Sequence, residues 1–180
     1  DPILLSDLFF RVGGVTSSIA QSKTCIIVNA NDVIGDNFWV WRADHGAGVA
    51  WDSNKTKNGI VINGNYMTMY GLFVEHFHEY QTLWNGEGGR CYFYQSELPY
   101  DVPNQQSWKS HNGTVDGYAS YKVADNVKSH EAYGLGIYSY HRDATINAEN
   151  AMEVPDAANV AVHNVCTVML AGNPGISHVI

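Results

Sequence analysis

One stretch of this chain recurs further along with the same order of residue types. Residues 28–41 and residues 62–75 each run from a β-branched residue and an asparagine, through a small-residue corner, into an alternating apolar strand. Weaker copies follow at residues 123–127 and 159–165. A short strand–turn–strand unit that returns with Asn and Gly at its corners is typical of a β-solenoid. The sequence therefore predicts parallel rungs in which residues about 34 positions apart lie one above the other.

Strand-like runs dominate the rest of the chain, and helical periodicity is nearly absent. Only residues 143–151 suit one or two helical turns,. The continuous apolar run at residues 25–28 favours a buried parallel strand over an antiparallel hairpin,. We predict an all-β fold, a right-handed parallel β-helix, with residues 1–180 as a single domain. Because both ends of the chain are strand-like, we expect a C-terminal portion of a longer β-helix.

Alternation along the strands assigns side chains to the interior or to the outer face. If Leu72 and Val74 point inward, then Phe73, Glu75 and Phe77 point outward. Outward residues of successive rungs would then form one continuous wall.

The composition narrows the classes of partner. Charged residues make up 16% of the chain, below the roughly one quarter that is usual, so the surface must be uncharged polar, which suits an exported protein,. The net charge is −8 with ten Lys and Arg and no basic run, which argues against nucleic acid,. No apolar stretch is long enough for a membrane helix. We expect a secreted protein with no nucleic-acid or membrane partner.

Two long excursions interrupt the strands at residues 44–58 and 98–116, and insertions in a solenoid often lie on its binding face,. Asn54 and Asn112 within them begin Asn-X-Thr sequons, so the sequence predicts a glycoprotein,.

The cysteines are an odd count of three: Cys25, Cys91 and Cys166. Each lies in a strand-like run, which favours buried free thiols. One bridge between neighbouring rungs with one free thiol is the alternative. No CxxC or paired-His spacing indicates zinc.

Several specific strings occur together, at residues 38–46, 71–76, 83–90, 97–105 and 121–125. This set resembles the C-terminal half of a family of large secreted bacterial and fungal β-helix proteins, whose members often carry discoidin/coagulation-factor or "adenylyl cyclase" labels. That family is in turn similar to pectin-lyase-like β-helices, including family 55 glycoside hydrolases that act on β-1,3-glucans. The cyclase label is set aside because the chain has no phosphate-cradling glycine loop.

Glycoside hydrolysis needs a proton-donating carboxyl group and a second carboxylate across the sugar. The candidates for catalysis are Asp44, Glu75, Glu87 and Glu97. Glu75 lies between two aromatic residues, which would desolvate its carboxyl group and raise its pKa. Each carboxylate could instead form a structural ion pair with Arg42 or Arg90.

Aromatic and basic side chains supply the candidates for substrate binding: Trp39, Trp41, Trp84, His76 and Arg90. Outward Trp rings on a flat parallel face would form a stacking platform for sugar rings. The competing interpretation is that these rings fill gaps beneath the long loops. The sequence predicts no metal site and no cofactor.

The sequence thus predicts a secreted carbohydrate-active protein, most simply a glycoside hydrolase acting on a polysaccharide such as β-1,3-glucan. The partners would be a polysaccharide or oligosaccharide, and an N-terminal β-helix portion or another chain that completes the solenoid. One alternative is a non-catalytic glycan-binding or structural β-helix module, and a second is a polysaccharide lyase.

Overall fold

The computed structural model describes residues 1–171 and 174–180, and its fold consists of β-strands and two short 3-10 turns. The strands, in chain order, are β1 (Ile3–Val12), β2 (Ser22–Val28), β3 (Val33–Arg42), β4 (Thr56–Ile62), β5 (Thr68–Glu75), β6 (Thr82–Trp84), β7 (Gly89–Glu97), β8 (Lys109–Ser110), β9 (Val115–Asp116), β10 (Tyr121–Val123), β11 (Ser129–Tyr140), β12 (Ile146–Asn150), β13 (Met152–Glu153), β14 (Asn159–Ala171) and β15 (Pro174–His178).

Successive strands alternate between two parallel sheets. The larger sheet has the order β1-β3-β5-β7-β11-β14, and the smaller has the order β13-β10-β6-β4-β2. β12 pairs with β15, and β8 with β9 forms an antiparallel pair in the described part of the chain. Because each strand pairs with the equivalent strand of the next repeat, the expected all-β parallel architecture is confirmed.

The predicted register holds where the repeat was recognised. Phe38 lies opposite Leu72 in the larger sheet, and Val28 lies opposite Ile62 in the smaller one. Other steps differ in length, since Thr68 of β5 pairs with Arg90 of β7 after a much shorter stretch of chain. The rungs therefore stack regularly in space although the connecting segments vary in length.

Asparagine side chains hold one corner of the rungs together. Asn63 donates to the Asn29 side-chain oxygen at 2.7 Å and accepts from Asn85 at 2.8 Å. Gly64 is required beside this ladder because a Cβ there would overlap the Ala30 carbonyl oxygen. The prediction that Asn residues organise these corners is thus correct.

A second corner lies within the larger sheet, where each strand bends at one residue of left-handed conformation. The residues at the bend are Asp7 (φ 55°), Asn37 (56°), Gly71 (67°), Phe93 (66°), Gly134 (67°) and Asn164 (58°). They fall at the same point between the paired halves of the strands. Asn, Asp and Gly tolerate this conformation, so five of the six residues suit it.

Apolar side chains of both sheets meet in one core, with Phe38, Leu72, Ile60 and Trp84 fully buried. Burying such side chains contributes about 1.5–3 kcal/mol each and drives the rungs together.

Two expectations about local structure are wrong. Phe77 is buried, not outward, because His76 adopts a positive φ of 69° and resets the alternation after β5. Residues 143–151 contain strand β12 in place of helical turns, because Ile146 and Ala148 alternate into the second, smaller core.

The three cysteines are free, but only Cys91 is buried, while Cys25 is half-buried and Cys166 is exposed. Asn54 is fully buried and its amide donates to the carbonyl oxygens of Val12 and Ala43, so it cannot accept a glycan on the folded chain. No helix in the described residues is long and apolar enough to cross a membrane.

Candidate functional site

The outer face of the larger sheet, beyond the left-handed bend, carries two columns of side chains. The register places in the first column Phe9, Trp39, Phe73, Gln95, Gly136 and Cys166, and in the second Arg11, Trp41, Glu75, Glu97, Tyr138 and Val168. On β5 and β7 the residues between the columns, Val74 and Ser96, are buried, as strand alternation requires,. The second column brings two predicted catalytic residues, Glu75 and Glu97, side by side.

Asp44 and His76 complete a cluster of polar side chains around these carboxyl groups. The His76 Nε2 atom lies 3.9 Å from Asp44 Oδ1 and 3.8 Å from Glu97 Oε2. Its Nδ1 donates to the Leu98 carbonyl oxygen at 3.2 Å, because a carbonyl oxygen can only accept,. One imidazole thus separates Asp44 from Glu97. Four of the predicted site residues, counting Glu75, therefore lie together.

Hydrogen bonds fix the two glutamates in place. Trp39 Nε1 donates to Glu75 Oε2 at 2.9 Å, and Gln95 Nε2 donates to Glu97 Oε1 at 3.3 Å. The Tyr100 hydroxyl group donates to the other oxygen of Glu97. The partners lie on β3, on β7 and in the segment that follows β7, and together they give the support that a precise site needs,.

Burial and like charge set the protonation of the cluster. Burial, together with the negative charges of Glu75 and Asp44, raises the pKa of Glu97 to about 7,. Burial also raises the pKa of Glu75, and the Trp39 hydrogen bond opposes that shift. Burial lowers the pKa of His76 to about 4, so its ring is neutral near pH 7. The cluster therefore holds a carboxyl group that can carry a proton near neutral pH.

Arg42 anchors the loops around the cluster. Its guanidinium group is fully buried and donates to Asp101 at 2.9 and 2.8 Å, and to the His76 carbonyl oxygen at 3.1 Å. It also bonds the Asn54 side chain and main chain. Burial would raise the pKa of Asp101, but the Arg42 bonds and charge outweigh it and the pKa falls below its usual value. Asp101 is thus a structural carboxylate.

A recess of about 420 Å³ opens beside the cluster, at the ends of β3, β7 and β11. Its polar lining includes Asp44, His45, Trp51, Asp101, Arg142 and Asp143. His45 Nδ1 lies 2.8 Å from Asp44 Oδ1. Residues of the two predicted excursions and of the segment after β11 line the recess, so loop residues lie next to the carboxylates.

Exposed aromatic rings continue from the cluster along the outer face. Trp39 contacts Phe9 at a centroid distance of 4.8 Å and stacks on Trp41 at 5.5 Å. The Arg11 guanidinium lies 4.6 Å from the Trp41 ring. Trp39 is 43% exposed beside the glutamates, as the sequence predicts, whereas Trp41 is only 7% exposed because Trp39, His45 and Arg11 cover its ring.

Three predicted site residues lie elsewhere. Trp84 is fully buried against Tyr121, so the expectation that it faces a ligand is wrong. Glu87 accepts from the main-chain N–H groups of residues 128 and 129 at 2.9–3.0 Å, before the start of β7. Arg90 is at that same end and pairs with Glu131 at 3.5 Å. These side chains therefore stabilise the fold away from the cluster around Glu97.

The sequence interpretation missed Tyr100, Gln95 and Arg142. Gln95 could have been found, because it precedes Glu97 by two positions and alternation puts both on one face. Tyr100 and Arg142 follow strand ends, where no periodicity predicts direction.

The family model of the LAM55 pectate lyase-like domain matches residues 1–97. The chain belongs to this family. Neither this match nor the relatives below support a discoidin or adenylyl cyclase label.

An exo-beta-1,3-glucanase from Streptomyces sp. (strain SirexAA-E / ActE) is 41% identical over 181 residues, covering 100% of this chain and 29% of the relative. The solved structure of sacteLam55A from Streptomyces sp. SirexAA-E superimposes with a TM-score of 0.94 at 41% identity. A variant of sacteLam55A in complex with glucose gives a TM-score of 0.95 at 40% identity. In both structures the chain is covered completely and spans 32% of the relative.

Proposed function

We propose that this chain carries the carboxylate site of a glycoside hydrolase that acts on β-1,3-glucan. The observation that carries the proposal is Glu97, a half-buried carboxyl group whose pKa is about 7, next to Glu75 on the neighbouring strand. Glycosidases need such a pair, one group protonated and one ionised. The Streptomyces relative named exo-beta-1,3-glucanase supports the choice of substrate.

Glu97 is the proton donor in this proposal. Its raised pKa keeps the proton available near pH 7, and Gln95 and Tyr100 orient its two oxygen atoms. The proton passes to the glycosidic oxygen as the bond between that oxygen and the anomeric carbon breaks. The anomeric carbon gains a new bond on its opposite face, to a water that the second carboxylate activates or to that carboxylate itself, and in the latter case water then releases the sugar.

Glu75 is the second carboxylate, because the Trp39 hydrogen bond favours its charged form and aims it at the outer face. Asp44 lies on the far side of His76 and adds negative charge that stabilises the positive, oxocarbenium-like sugar,. Neutral His76 lies between Asp44 and Glu97 and does not offset the negative charge of Asp44.

The recess beside Asp44 suits the terminal sugar of a glucan chain. Its polar lining can accept hydrogen bonds from sugar hydroxyl groups, and Arg142 can donate hydrogen bonds to them. Trp51 forms an aromatic wall of the recess. A recess at the end of an exposed face is compatible with removal of sugars from a chain end.

Two substitutions in the full-length protein test the proposal. Glu97→Gln should lower kcat/KM on β-1,3-glucan by about 10²–10⁴-fold. On β-glucosyl fluoride, whose leaving group needs little protonation, the loss should be much smaller. Glu75→Gln should lose activity on both substrates. Glu131→Gln, at the distant end of the rungs, is the matched control and should behave as wild type.

Hydrolysis of glucan by Glu97→Gln at the wild-type rate would contradict the assignment. Glucan binding without any turnover by the wild type would instead support the non-catalytic module. An unsaturated uronide product from an acidic polysaccharide would indicate a lyase.

We further propose that the stacked rungs form a right-handed parallel β-helix that continues in a neighbouring segment of the protein. The support is that the inward side chains Leu8 and Phe10 of β1 are only partly buried, although their register partners on β3 are fully buried. The greater length of the relative supports it as well. Secretion is proposed as well, since charged residues make up only 16% of the chain, which suits an exported protein,. Comparing the amount of the protein in the culture medium with the amount inside intact, protease-treated cells would test secretion.

A further inference from the structure

Phe93 stands out in the left-handed bend of the larger sheet. The other five strands have Asp, Asn or Gly at this position, whereas Phe93 adopts a φ of 66° with a bulky side chain. Such a residue is strained in this conformation, and strain of this kind is concentrated at functional sites.

The Phe93 ring is not held by the core. It is 58% exposed, and among the described residues its one aromatic contact is edge-on with the outward Phe73 ring, at a centroid distance of 5.7 Å. Packing therefore does not explain why a large apolar side chain occupies this position, where Gly71 serves the preceding rung.

The exposed ring borders a groove of about 230 Å³ between β7, β11 and β14. The groove is lined by Phe93, Gln95, Gly134, Gly136, Tyr138 and Cys166, among others. A Cβ on Gly134 would meet no atom within 4 Å, so the missing side chain leaves space for a ligand. At Gly136 a Cβ would approach the Tyr138 ring to 3.1 Å, so that ring lies close over the glycine.

The groove adjoins the carboxylate cluster directly. Gln95 lines it and donates to Glu97, and Tyr138 is the register partner of Glu97 on β11. The polar recess lies on the other side of Glu97, where residues after the strand ends, such as Asp101, form its lining. Glu97 therefore stands between a polar recess and a groove with aromatic walls.

We propose that this groove binds the glucosyl residue on the leaving-group side of the cleaved bond, with Phe93 as its stacking face. A pyranose ring offers CH groups to the negative face of an aromatic ring, and Gln95 and Tyr138 offer hydrogen bonds to its hydroxyl groups. The proposal rests on the function proposed above and specifies how a second sugar is recognised.

Phe93→Gly gives the decisive test, since glycine fits the bend and removes only the ring. With short β-1,3-linked glucose oligosaccharides, kcat/KM should fall roughly fivefold to tenfold. With β-glucosyl fluoride, which has no second sugar, kcat/KM should stay at the wild-type value. The melting temperature should not fall, because the strain is relieved.

Gly134→Asn tests the opposite wall of the groove. Asn is compatible with the bend, as Asn37 and Asn164 show, and its side chain would occupy the space next to Phe93. We expect the same selective loss on oligosaccharides. Gly71→Asn, at the equivalent bend of β5 and outside the groove, is the control and should leave both activities unchanged.

Equal loss on both substrates, or no loss on either, in Phe93→Gly would overturn the subsite. In either case a wild type that still hydrolyses both substrates would keep the proposed function intact. A wild type that hydrolyses neither would overturn the function, and the subsite with it.

Discussion

Glu75 and Glu97 occupy the same register position on neighbouring parallel strands. Adjacent strands are about 4.8 Å apart, so the two acidic side chains leave the sheet side by side. Like charges at this spacing favour a proton on one of the two groups. Burial adds to this effect, and Glu97 is the group whose pKa reaches about 7.

Activity should depend on the protonated form of Glu97. We expect kcat/KM on β-1,3-glucan to fall as the pH rises through about 7,. Asp44→Asn removes one of the charges that raise this pKa, so the alkaline limb of the residual activity should move to lower pH. A pH–rate profile of both proteins checks this, and an unmoved limb would show that Asp44 does not act on Glu97.

The same pKa links stability to pH. A carboxyl group whose pKa is raised from 4.5 to about 7 on folding stabilises the protein below pH 4.5, and this contribution is lost as the pH rises through 7,. Glu97→Gln has no carboxyl group at this position, so its stability does not fall in this way as the pH rises. Its melting temperature should exceed that of the wild type by about 2 °C at pH 8, with the difference shrinking towards pH 4.5. Thermal unfolding at both pH values is the measurement.

Outside the carboxylate cluster, we expect substitution of Arg42 to lower the stability of the fold the most. Arg42→Met leaves the Asp101 carboxylate buried without a partner and should lower the free energy of unfolding by about 3–5 kcal/mol,. Adding Asp101→Leu removes the stranded charge, so the double variant should recover part of the loss. Urea denaturation of the three proteins tests this, and a double variant no more stable than Arg42→Met would contradict it.

The sequence revealed the rungs because their determinants are local. Alternation along a long strand and Asn at a corner are visible without a structure, and Phe38 does lie opposite Leu72. Trp84 was misplaced because β6 (Thr82–Trp84) is too short to assign a face by alternation.

The contact between Glu75 and Glu97 was harder to predict from the sequence. The recognised repeat relates Trp41 to Glu75, and the same spacing counted on from Glu75 passes well beyond Glu97. The segment between β5 and β7 is shorter than the one between β3 and β5, and loop lengths vary freely in a solenoid because only the rungs must stack,. Both residues were named as candidates from their carboxyl groups, but their contact depends on a register that the repeat does not determine.

A ladder of stacked rings on the outer face, before the left-handed bend, offers a last test. Tyr92 lies between Tyr70 and Tyr133, at centroid distances of 5.2 and 5.3 Å and interplanar angles of 13° and 6°. Each such pair contributes about 0.5–1.5 kcal/mol beyond area burial. Tyr92→Leu breaks two pairs and should lower the free energy of unfolding by about 1–3 kcal/mol.

Tyr70→Leu is the matched variant, because Tyr70 contacts a ring on one side only among the described residues. It should cost about half as much as Tyr92→Leu, and both variants should keep the wild-type kcat/KM, since the ladder lies on the other side of the bend from Glu97. Urea denaturation gives the two stabilities. Equal losses in the two variants would show that area burial, and not ring stacking, sets the contribution of the ladder.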